Sequence, residues 1–99
     1  MAQSPHAGPA GEPARFALPP RITLDDASAV CRDALGALRA AAPQGPWLID
    51  AAALTEFDSS CLALLLELRR ACGALQLRGV PPRLRQLVHA YGVETLFDA

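Results

Sequence analysis

The sequence predicts an α/β domain, a small mixed sheet of four strands with about three main helices. Three observations lead there. Short extended apolar stretches alternate with longer segments of helical apolar spacing, the order that builds α/β sheets. Each helical segment opens on a capping or proline signal and stops at glycine or proline. Ninety-nine residues make one domain that buries a core without staples, with modest stability.

Met1 to Pro13 is rich in Pro, Gly and Ala without periodic apolar residues, so residues 1–13 are expected to be a disordered tail and 14–99 the domain. Ala14 to Leu18 suits a short strand with Phe16 and Leu18 on one face. Pro19 and Pro20 remove two donors and place that strand at an edge or end it; Arg21 and Ile22 briefly resume extended structure. Thr23 is expected to start a helix, because Thr23-Leu24-Asp25-Asp26 sets a cap residue three before an acid. Ala27, Val30, Cys31, Ala34, Leu35 and Leu38 then recur at spacings of three and four up to a stop before Pro43. Trp47 to Asp50 is nearly all apolar and reads as a central strand buried on both faces. A loop from Ala51 follows, pinned by Leu54 and Phe57.

The stretch from Phe57 to Cys72 is the most informative. Asp58, Ser59 and Ser60 each offer a side-chain oxygen to the free N–H groups of a helix start, and Gly73 supplies a stop. Cys61, Leu64, Leu65, Leu68 and Cys72 form one apolar face. Leu62, Ala63 and Leu66 form a second face, running from Ser59 to Arg70. One stripe is usual for a surface helix; two place this helix between layers or present one side to a partner. A phosphate on Ser59 or Ser60 would be stabilised at the helix start and would set about two negative charges beside the second face. Plain capping explains the same residues.

Ala74 to Val80 alternates as a strand, Leu75 and Leu77 opposing Gln76 and Arg78. Pro81-Pro82 suits a first helical turn. Leu84, Leu87, Val88 and Tyr91 make that helix's stripe, Gly92 stops it, and Val93, Leu96 and Phe97 form a last segment expected to dock on the core.

Composition narrows the function. A formal net charge of −1 gives no electrostatic case for nucleic acid or an anionic membrane. All nine basic residues are Arg. The three cysteines, Cys31, Cys61 and Cys72, lack metal spacing and favour a reducing compartment; Cys61 reads as a buried, inert thiol. No signal peptide or stretch of about 20 apolar residues is visible, so a cytoplasmic location without direct membrane insertion is expected. There is no phosphate loop, no G-x-S-x-G and no H-E-x-x-H. Ser59, His89 and Asp50 could be imagined as a triad, but nothing in the sequence joins them. Arg69, Arg70, Arg83 and Arg85 read as solvated or as rim contacts for a partner. Neither catalysis nor a cofactor is expected.

The segment Trp47-Leu48-Ile49-Asp50 followed by Phe57-Asp58-Ser59-Ser60-Cys61-Leu62 resembles a STAS domain, where such a strand leads to D-[ST]-[ST/A]-G-L at a helix start. The stretch from Leu75 to Val93 is similar to the family's next strand and helix. The likeness spans Ala14 to Phe97 and is greatest to the small STAS subunits of bacterial phospholipid-transport (Mla) ABC systems. It implies a STAS fold and a non-enzymatic subunit that binds and regulates the transporter's cytoplasmic ATPase. Such a subunit sits at the inner membrane through that partner and serves outer-membrane lipid asymmetry. The alternative it implies is an anti-sigma-factor antagonist, switched when a kinase-like anti-sigma factor phosphorylates the residue after the Asp, here Ser59. The implied interface is Asp58, Ser59, Leu62, Ala63, Leu66 and Arg70. The family usually has Gly at the position of Cys61, so a side chain there is expected to narrow a partner's approach.

Overall fold

A computed structural model describes residues 13–72 and 74–97. The described strands form two sheets instead of one mixed sheet of four. β1 (Ala14–Ala17), β3 (Trp47–Asp50) and β5 (Leu75–Arg78) form a parallel sheet in the order β1-β3-β5. β2 (Arg21–Ile22) and β4 (Glu56–Phe57) form a separate parallel pair. Both corrections to the expected sheet have local causes. Pro19 and Pro20 break the extended chain after β1, so its continuation cannot stay in the first ladder. The segment expected as a loop up to Phe57 gains a two-residue strand by docking on that continuation. There the Pro20 carbonyl accepts N–H bonds from Thr55 (2.8 Å) and Glu56 (3.0 Å), and Arg21 faces Glu56 across the pair at 3.3 Å.

β3 is central, as its apolar run implies. Trp47, Leu48 and Ile49 are all buried. Trp47 and Ile49 join the main core while Leu48 alternates to the other face, and the Trp47 indole N–H donates to the Ala42 carbonyl at 2.7 Å. β1 and β5 are the two edges. Leu18 is buried just past β1, whereas Phe16 only packs against the core from a half-buried position.

Three helices cover this sheet. α1 (Ala27–Ala41) begins four residues later than the Thr23 start expected from sequence. The capping residues are nonetheless engaged: the Asp26 carboxylate accepts the Thr23 N–H (3.1 Å) and hydroxyl (2.9 Å), closing a turn that precedes the helix. α2 (Ser59–Cys72) packs on β5, α1 and α3 (Pro82–Ala90); its expected stop, Gly73, lies outside the described residues, as do residues 1–12. α3 opens with Pro82 at its first turn and ends before Gly92, whose φ of 68° suits glycine. A short 3₁₀ turn (Glu94–Leu96) follows, and Phe97 is buried in the core as its apolar character predicts. No helix among the described residues is long and apolar enough to cross a membrane.

Candidate functional site

The start of α2 is held from three directions. The β2–β4 pair delivers Phe57 to the core, where it is buried. Asp58 then caps the helix: one carboxylate oxygen accepts the Ser60 N–H at 2.8 Å. The other accepts the Leu24 N–H at 3.2 Å, tying α2 to the turn before α1. These bonds, the Ser60 N–H foremost, hold the Asp58 carboxyl below the ordinary carboxylate range. Asp58, predicted as an interface residue, therefore has an internal role that fixes the positions of Ser59, Ser60 and Leu24.

The two apolar faces of α2 have different fates. Cys61, Leu64, Leu65 and Leu68 are buried, as expected. Leu62 is buried too, at 2% exposure, and joins the same core as Leu84 and Val88 of α3. This corrects its place in the predicted interface: the flank that carries it is closed by the packing of the domain itself. Ser59, Ala63 and Arg70 remain exposed, Ser60 and Leu66 half-buried, and Leu66 packs partly on the core. Ser59, Ala63, Leu66 and Arg70 follow one another at spacings of four, three and four, a single strip along the outer side of α2. Arg70 pairs with Glu67 on the same helix. The hydroxyl of Ser59 has no hydrogen-bond partner among the described residues, so it is available at the head of the strip.

Cys61 does not narrow the approach to this strip. Its side chain is fully buried on the opposite side of the helix, and burial pushes its thiol up to about 12. It is an inert core residue, and the expected obstruction at the helix start does not arise.

Grooves flank the strip. On one side, between α1 and α2, an opening of about 260 Å³ is lined by Leu24, Ala27, Cys31, Ser60, Ala63 and Glu67, among others. Leu24 is 78% exposed there, an apolar side chain held out beside Ala63 by the Asp58 bond. On the other side, between α2 and α3, a groove of about 400 Å³ is lined by Phe57, Asp58, Ser59, Arg83, Gln86, Leu87 and Ala90. Sequence reasoning missed both Leu24 and the Phe57–Leu87 floor of the second groove. The available signal was an isolated Leu among polar turn residues in the first case. There was none in the second, since the groove exists only once α3 docks.

The imagined triad does not assemble. Ser59 lines the α2–α3 groove, His89 pairs with Glu94 at 2.6 Å on the far side of α3, and Asp50 accepts the Ala52 N–H at 2.9 Å. Among the described residues, no group of His, Cys, Asp and Glu is placed to hold a metal.

A parallel α/β core whose second helix opens on an Asp-Ser-Ser turn is consistent with the STAS fold. The chain matches the family model described as "Mlab, STAS domain" over residues 8–98 and belongs to that family, whose members are generally non-enzymatic. No curated protein and no solved structure matches it.

Proposed function

We propose that this chain is the regulatory STAS subunit of an Mla-type phospholipid-transport system. It docks on the transporter's cytoplasmic ATPase through the outer strip of α2 and supports that ATPase's assembly and activity, without chemistry of its own. In this reading it is cytoplasmic, held at the inner membrane by its partner, and serves outer-membrane lipid asymmetry. Membership of the MlaB-like family supports the reading. The observation that carries the surface is the outer strip of Ser59, Ala63, Leu66 and Arg70, opposite the buried face of Cys61, Leu64, Leu65 and Leu68. A strip with Ala63 exposed and Leu66 half-buried between polar Ser59 and Arg70 suits a protein contact.

One observation favours a second reading. The exposed, unbonded Ser59 hydroxyl at a helix start is accessible to a kinase, which suits an anti-sigma-factor antagonist. A pull-down from native lysate separates the two. Tagged wild type should capture an ABC ATPase, and Leu66→Asp, shown by circular dichroism to be folded, should not. Equal capture by both would remove the strip from the interface. Capture of a kinase-like anti-sigma factor instead would replace the transport reading by the alternative.

A further inference from the structure

The α2–α3 groove contains an arginine that the fold holds but does not use. The Arg83 guanidinium lies over the Phe57 ring, 4.9 Å from its centroid. The ring contact holds the cation at the groove without occupying its N–H donors. Among the described residues Arg83 has no carboxylate or carbonyl partner. Asp58, the one carboxylate lining the same groove, has both oxygens engaged by the N–H groups of Ser60 and Leu24. An arginine held over a ring with its donors unengaged can take a carboxylate through two parallel hydrogen bonds.

The charged lining of the groove is Arg83 and the already engaged Asp58, so Arg83 is the cation it offers. The other arginines of α2 and α3 are placed elsewhere: Arg70 pairs with Glu67, and neither it nor Arg69 nor Arg85 lines this groove. The floor beside Arg83 is apolar, made of Phe57, Leu87 and Ala90. An anionic membrane would need several cations in one plane with Arg83. Arg85 instead lines the cavity on the other side of α3, with His89 and Glu94. A groove with an apolar floor and one directed cation fits a protein segment better than a lipid surface.

We propose that the α2–α3 groove receives an acidic amphipathic segment of the partner protein, with an Asp or Glu of that segment paired to Arg83 over Phe57 and an apolar side chain seated on Leu87 and Ala90. This rests on the docking reading above and adds a second contact beside the α2 strip, with a stated chemistry.

The chain contains no lysine, which allows a direct test. In the Arg83→Lys variant the new ammonium is the sole lysine amine of the protein. A zero-length carbodiimide coupling to the purified Mla-type ATPase should then yield an amide between position 83 and an Asp or Glu of the ATPase, mapped by mass spectrometry. The matching Arg85→Lys variant should give none. Titration calorimetry should show that Arg83→Glu weakens binding at least tenfold, while Arg85→Glu stays within twofold. Both sites are exposed, and circular dichroism checks that the variants fold. If Ala63→Arg disrupts the complex but Arg83→Glu does not and position 83 forms no cross-link, docking stands and this inference falls. If wild type does not bind the ATPase at all, the functional reading falls and takes the inference with it. Sedimentation with phosphatidylglycerol vesicles that depends on Arg83 would assign the groove to lipid and overturn the proposal.

Discussion

Asp58 shows how one side chain can serve a surface it does not supply. Its two oxygens join the first turn of α2 to the turn before α1, so the exposed Leu24 and the strip from Ser59 hold a fixed relation. Asp58→Asn keeps one acceptor and loses the charge at the positive helix end. It is expected to lower the Tm at neutral pH. The pH dependence follows from the direction of the shift. The folded-state carboxyl titrates below its unfolded value, so the stabilisation is fully present above about pH 4 and is lost as pH falls through the folded value. The Tm gap between wild type and Asp58→Asn should therefore narrow below about pH 4, and a gap that is constant with pH would contradict the assignment. Beside it, Ser59 stands free at the mouth of the α2–α3 groove with Arg83. Ser59→Asp sets a carboxylate where it competes for that arginine. ATPase affinity should fall, with unchanged thermal stability, and calorimetry beside a melting curve checks both.

At the scale of the element, α2 is where reading from sequence succeeded most and failed most instructively. Its span, its Asp58 cap and its main buried face are all local properties, set by periodicity and capping, and each is present in the structure. Leu62 was misplaced because its burial depends on how the neighbouring elements dock, which no helical spacing encodes. Leu62→Ala should accordingly behave as a core truncation, costing about 2–5 kcal/mol. Ala63, one residue on and exposed, should tolerate Arg within about 0.5 kcal/mol. Urea unfolding should show a lower midpoint for Leu62→Ala at unchanged slope; a neutral effect would return Leu62 to the surface. The β2–β4 pair was invisible for a different reason. Two residues cannot display an alternation, and the partner of Arg21–Ile22 lies over thirty residues away, at Glu56–Phe57. The pair matters to the site all the same, because it sets the point from which Phe57 and Asp58 enter α2.

The described residues form a three-stranded parallel sheet, the separate β2–β4 pair and helices arranged so that α2 touches both α1 and α3. That central position encloses most of the helix and leaves one strip open, with a groove on either side. The alternation of strands and helices made the α/β class legible. The split into two sheets was not, because it follows from where the chain turns after Pro19 and Pro20. The surface was legible as an excess of apolar residues on α2, but its shape was not, since both grooves are made by neighbouring helices. The central claim is that the open strip of α2 is where the ATPase binds. The direct measurement is the affinity of the full chain for the purified Mla-type ATPase, wild type against Ala63→Arg, with unfolding curves for both. Ala63→Arg should lose at least tenfold in affinity at unchanged stability. Equal affinity of the two proteins for the ATPase would contradict it.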